Sequence, residues 1–156
     1  MAGETVITVI GNLTADPELR FVLLAADEQI DFAQANLDLA IRWGDGPGAE
    51  EGEAIEADGM VTVAAPDGSD TPIAWPGAPD PAASISVADA GLALDAAAAG
   101  LGRATVPELI ARADLATGRV VATGEARPSA QGYWLVAPLP QWRQKKVKTL
   151  VDALSA

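Results

Sequence analysis

Three side chains just ahead of an alanine-rich stretch carry the clearest chemistry in this sequence: Ser84, Ser86 and Asp89. Hydroxyls beside a helix start favour a carboxylate ligand, because the first N–H groups of a helix have no partner within it and its dipole is positive at that end. The same residues also read as simple capping, with Asp89 taking one of those N–H groups itself. Both readings stay open at this level. Asp31 and Asp38 suggest paired carboxylates, but they flank a helix-to-strand turn with no proton-accepting partner, so no catalytic role is expected. The run Gly44-Asp45-Gly46-Pro47-Gly48 could present amides to an anion. Asp45 opposes that, and a plain turn is the expectation. Arg42 beside Trp43 is expected either to pair with a carboxylate or to stack. Trp75, Trp134 and Trp142 are expected to be large apolar anchors, with Trp75 either plugging a cleft or partly exposed.

Absences narrow the chemistry further. The sequence has no cysteine and no histidine. Disulfides, thiolate catalysis, cysteine-zinc sites, Ser-His-Asp triads and histidine-held metals all fall away. No catalytic residue, metal or cofactor is expected, and the chain is not read as an enzyme. Ten basic residues stand against 22 acidic ones, a net charge of −12. So acidic a surface repels phosphate backbones. The basic run Arg143, Lys145, Lys146 and Lys148 reads as a solvated helix face. No signal peptide or membrane-length apolar run is visible, so a cytoplasmic protein is expected.

The elements that must position these residues alternate between strand and helix. Residues 5–10 are β-branched and read as a strand, and 19–24 as a second. The link between them is too short for a parallel crossover, so the two are expected to be antiparallel neighbours or not neighbours at all. Helical spacing covers 27–36; strands are expected at 37–43 and 60–65, with 50–58 an acidic stretch. Residues 66–83 read as an irregular connection with one short strand at 73–75. Ser84–Val87 is a brief strand, and Asp89 is set to cap a helix over 91–99 that Gly100 ends. A strand at 103–106 leads into a helix opened by Pro107 and running to about Ala113, with a turn at 115–118. Strands at 120–122 and 131–137 precede an amphipathic helix over 144–154, whose stripe is Val147, Leu150, Val151 and Leu154. Alternation of this kind implies an α/β layered fold.

Four segments, in order, resemble the effector-binding domain of LysR-type transcriptional regulators. The first is Ile30-Asp31-Phe32 followed by Asn36-Leu37-Asp38-Leu39-Ala40-Ile41-Arg42-Trp43-Gly44-Asp45-Gly46. The second is Ala96-Ala97-Ala98-Ala99-Gly100-Leu101-Gly102 with Val106-Pro107. The third is Asp114-Leu115-Ala116-Thr117-Gly118-Arg119-Val120-Val121, and the fourth Gly132-Tyr133-Trp134-Leu135-Val136 with the helix to Ala153. The family's helix-turn-helix and linker helix have no counterpart in the sequence, and the 66–83 connection is shorter than the family's. By contrast, residues 5–21, from Thr5-Val6-Ile7-Thr8-Val9-Ile10-Gly11-Asn12 to Leu19-Arg20-Phe21, resemble the opening of actinobacterial single-stranded-DNA-binding proteins.

The LysR resemblance implies a truncated, two-lobed α/β fold of the periplasmic-binding-protein type. It sets 1–20 apart as a strand segment of separate origin, gives 21–57 with 125–156 to lobe one and 58–124 to lobe two, and expects crossings near Asp58-Gly59 and Ala122-Thr123-Gly124. It implies effector binding in the crevice between lobes, with Ser84, Ser86 and Asp89 at the site, and a homodimer through lobe one. The expected effector is a small carboxylate, with no direct nucleic-acid or membrane partner. The chain is then a LysR-type effector domain, or a fragment or chimera of one. The alternative is a nucleic-acid-binding module of the single-stranded-DNA-binding class, which rests on 5–21 alone.

Overall fold

The computed structural model describes residues 4–10, 20–26, 31–32, 37–55 and 59–155. The chain divides into two compact units, one from Gly3–Glu56 with Gln131–Ala156, the other centred on Ala57–Ala130.

The first unit carries a five-stranded sheet in the order β2-β1-β3-β10-β4. Its strands are β1 (Glu4–Ile10), β2 (Arg20–Ala26), β3 (Leu39–Gly44), β4 (Glu51–Ala54) and β10 (Gly132–Ala137). Every pairing is antiparallel, and the β1–β2 register runs from Glu4↔Ala26 to Ile10↔Arg20. β1 therefore lies inside the sheet, hydrogen-bonded to both β2 and β3. The core gathers Phe32, Leu37, Leu39, Leu135, Val136, Val147, Leu150 and Val151. Three of these come from the terminal helix, Lys145–Leu154, where apolar residues at i, i+3 and i+4 form one stripe. Lys146 of that helix bonds Asp38 at 2.7 Å, with both side chains largely buried. Arg143, Lys145 and Lys148 are exposed. Edge-on contact of Trp43 with Tyr133, centroids 4.9 Å apart, and a bond from Trp43 Nε1 to Gln131 fix the far end of the sheet.

The second unit carries a mixed sheet in the order β7-β6-β8-β5-β9. Its strands are β5 (Met60–Ala64), β6 (Pro72–Ala74), β7 (Ile85–Ser86), β8 (Arg103–Pro107) and β9 (Val121–Ala122). β6, β7 and β8 are parallel; β5 pairs antiparallel with β8 and β9. Helices α1 (Ala90–Ala98) and α2 (Glu108–Thr117) pack on this sheet. Their buried residues include Ala93, Ala97 and Ala111, and the sheet buries Val61, Val63, Ala104 and Val106. Alanines allow that close approach. Gly102 serves the same end, since a Cβ there would overlap the Thr71 carbonyl. Arg119 bonds Asp95 of α1 at 3.0 Å and Asp114 of α2 at 2.8 Å.

Several expectations change at their edges. The acidic 50–58 stretch contains a strand, β4, whose backbone pairs with β10 from Trp134↔Ala54 to Ala137↔Glu51. Charged side chains on an edge strand hide the usual alternation. α2 runs past Ala113 to Thr117, and the expected turn at 115–118 is its last turn closed by Gly118 at φ 73. A short helix, α3 (Leu139–Trp142), was not expected; the terminal helix is α4. The division at Ala130/Gln131 falls later than 122–124, because Thr123 N–H donates to Thr62 and Arg127 exchanges backbone bonds with Met60. The 27–36 helix lies outside the described residues except for Asp31 and Phe32.

Candidate functional site

β6 sits between β7 and β8. The chain leaves β6 to one side for β7, then returns through α1 to the other side for β8. The strand order therefore switches between β6 and β8, and ligands of open α/β sheets bind outside the carboxyl ends of the strands near such a point. A hollow of about 480 Å³ lies beside that point, where β6 and β7 end. Its walls are Ala74, Trp75, Pro76, Pro79, Pro81 and Val87, with Ser86 and Asp80 as the polar members.

Each wall has a local cause. Trp75 is 3% exposed and donates its indole N–H to the Thr105 carbonyl at 2.8 Å, which fixes the ring. Gly77 lies against the ring: a Cβ there would overlap its edge, so only glycine lets the turn through. Asp80 Oδ1 accepts the Ala82 N–H at 2.8 Å and stiffens the turn between Pro79 and Pro81. Val87 N–H donates to Ala74 O at 2.9 Å, tying the ends of the two strands together.

Of the three sequence-predicted residues, Ser86 lines this hollow and is exposed to it. Ser84 is exposed before β7 and is not among the walls. Asp89 is the N-cap of α1; its Oδ1 accepts the Leu92 N–H at 2.9 Å. Its carboxylate is thereby turned back on the helix. Trp75, the prolines and Val87 were not singled out as ligand contacts. The dense Pro76, Pro79, Pro81 spacing after Trp75 was the available signal.

The other constellations are structural. Arg42 bonds Glu50 at 3.1 Å and the Pro47 carbonyl at 3.5 Å, closing the 44–50 loop from inside. Asp38 is held by Lys146 rather than set opposite Asp31. The hydrogen bond from Arg103 to Asp70, and the Asp70 charge, hold the pKa of the Arg103 guanidinium above its ordinary value. Among the described residues no group of three or more His, Cys, Asp or Glu is gathered, and no helix is long and apolar enough to cross a membrane.

Comparison with known proteins adds three findings. The effector domain of the transcriptional regulator AmpR of Pseudomonas aeruginosa superposes with a TM-score of 0.68 at 21% identity, covering 83% of this chain and 76% of that one. The AmpR effector-binding domain of Citrobacter freundii gives 0.68 at 16% identity, with 83% and 78% covered. The regulatory domain of CrgA, a LysR-type regulator from Neisseria meningitidis, gives 0.62 at 9%, with 81% and 79% covered. At these identities the likeness shows the fold: α/β, two-lobed, of the periplasmic-binding-protein type. Short matches point elsewhere. A single-stranded DNA-binding protein of Paenarthrobacter aurescens is 90% identical over 21 residues, and that of Mycolicibacterium smegmatis 86% over 21. These matches cover 14% of this chain and only 12% and 13% of the curated relatives' length, far short of a shared domain. The LysR substrate binding domain family matches residues 76–156, just over half of the chain, from Pro76 of the hollow through α1, α2 and α4. The chain belongs to the LysR substrate-binding-domain family.

Proposed function

We propose that this chain senses a small-molecule effector for a transcription regulator, binding a small carboxylate without covalent chemistry in the hollow at the ends of β6 and β7. The observation that carries this reading is the meeting of Ser86 with an apolar, proline-walled hollow at the carboxyl ends of β6 and β7. Trp75, Pro79, Pro81 and Val87 would cover an apolar body. Ser86 would meet the carboxylate. Asp89 then orients the helix start rather than touching the ligand, and Ser84 stays outside the walls. Regulators such as AmpR and CrgA, whose effector or regulatory domains share this fold, support a sensing role over a catalytic one.

The same proposal includes a cytoplasmic location, self-association through lobe one, which takes the returning segment Gln131–Ala156, and a separate origin for residues 1–20. The short, high-identity match to single-stranded-DNA-binding proteins supports that last point. Direct contact with nucleic acid is not part of the reading, since a net charge of −12 opposes it.

A thermal-shift screen of small carboxylates against wild type and Ser86→Ala tests the site. The expected result is stabilisation of wild type by one class of carboxylate, and binding weaker by about 0.5–1.5 kcal/mol in Ser86→Ala, the net worth of one hydrogen bond. Equal shifts in both proteins would remove Ser86 from the site. Micromolar, salt-sensitive binding of a labelled oligonucleotide would favour the single-stranded-DNA class instead.

A further inference from the structure

A second hollow, of about 620 Å³, opens on the same unit over different side chains. Its floor is a row of hydroxyls across three neighbouring segments of chain. Thr62 of β5 stands opposite Thr105 of β8, their Oγ1 atoms 2.8 Å apart. On the other side Thr123 donates its N–H to Thr62 O at 2.9 Å and its hydroxyl to the same oxygen at 3.3 Å. All three threonines line the hollow. This face differs from the one that buries Val61, Val63, Ala104 and Val106, because side chains alternate across a strand.

The charges on the rim decide what could lie there. Arg103 is already bonded to Asp70 through both its carboxylate and its backbone carbonyl. Glu125 and Arg127 also line the hollow; both are exposed, and neither side chain has a partner among the described residues. The rim therefore offers one free anion and one free cation above a bed of hydroxyls. A dianion would meet Glu125 and Asp70, and a simple cation would meet Arg127 and Arg103. A molecule bearing both charges close together satisfies both groups at once.

We propose that this hollow binds the zwitterionic head of a free α-amino acid, with its carboxylate on Arg127, its ammonium on Glu125 and polar side-chain atoms on the threonine row. The site is separate from the one under Ser86, so either can fail alone.

Titration of the ¹⁵N-labelled chain with L-serine, read at the amides of Thr62, Thr105 and Thr123, tests it. Wild type is expected to show saturable shifts at these amides. Arg127→Gln and Glu125→Gln should each weaken binding about tenfold or more, because each removes a charge-assisted bond. Ser86→Ala should leave the titration unchanged. Lactate, which lacks the ammonium, and ethanolamine, which lacks the carboxylate, should bind wild type at least about tenfold more weakly than L-serine. Three results would overturn the proposal. One is no saturable shift with L-serine. Another is lactate binding as well as L-serine and indifferent to Glu125→Gln, which would mark a plain anion site. The third is unchanged L-serine binding in both charge variants, as expected if Glu125 and Arg127 only pair with each other in solution. Both substitutions are at exposed positions, so a fold loss would be visible as a lowered Tm and is not expected.

Discussion

The unit built on β3 and β10 closes around large side chains, with Leu37, Leu39, Leu135 and Val147 at 2% exposure or less. The unit built on β5 and β8 closes largely around small ones, with Ala93, Ala97, Ala104 and Ala111 at 0 to 1%. The two cores fail in opposite ways. A core of leucine and valine is harmed most by deletion, which leaves a cavity. A core of alanine has little to delete and is harmed by addition, which forces helix and sheet apart. The unit with the small-residue core also carries both hollows. Alanine packing lets α1 and α2 sit tight on the sheet, while the side chains lining the two hollows gather at the ends of β6 and β7 and on the face of Thr62 and Thr105.

The sharpest way to break this contrast is Leu135→Ala, expected to cost about 2–5 kcal/mol by urea denaturation. A loss under about 1 kcal/mol would mean that the large-residue core is not close-packed. The mirror test is Ala104→Leu, expected to cost about 1–3 kcal/mol through overpacking. If Ala104→Leu were neutral while retaining native near-ultraviolet dichroism, the small-residue core would be looser than described. A smaller effect is expected for Asp89→Ala, about 1 kcal/mol, from the loss of the bond to the Leu92 N–H. Ser86→Ala should change stability by no more than about 0.5 kcal/mol, since an exposed hydroxyl carries little packing.

Those same residues show how much could be read beforehand. Asp89 as a cap was legible because capping is local: a short polar residue, an alanine-rich run, then Gly100, which takes φ 82. The stripe Val147, Leu150, Val151 was legible for the same reason. β4 was not, because Glu51-Gly52-Glu53-Ala54 has no apolar alternation and is recruited by the free edge of β10. Gly52 hints at it only in three dimensions, where a Cβ would overlap Pro47. At the site, Ser86 was found from its place before a helix. Val87 was not, and Trp75 was read only as a cleft plug or a partly exposed ring, since their closeness to Ser86 comes from the parallel pairing of β6 with β7, Ala74↔Ser86. The threonine row was equally hidden: Thr62, Thr105 and Thr123 lie far apart in sequence and meet only through strand register.

The most direct test of the central claim reads the Trp75 indole N–H, which donates to Thr105 at 2.8 Å and whose ring walls the hollow beside Ser86. Its cross-peak can be assigned by its loss in Trp75→Phe. On titration with the carboxylate that stabilises the protein, the Trp75 indole and the Ser86 and Val87 amides should shift together and saturate at one Kd. The indoles of Trp43 and Trp134, which belong to the other unit, should stay still. Saturable shifts confined to Trp43 and Trp134, with Trp75 unmoved, would contradict the account.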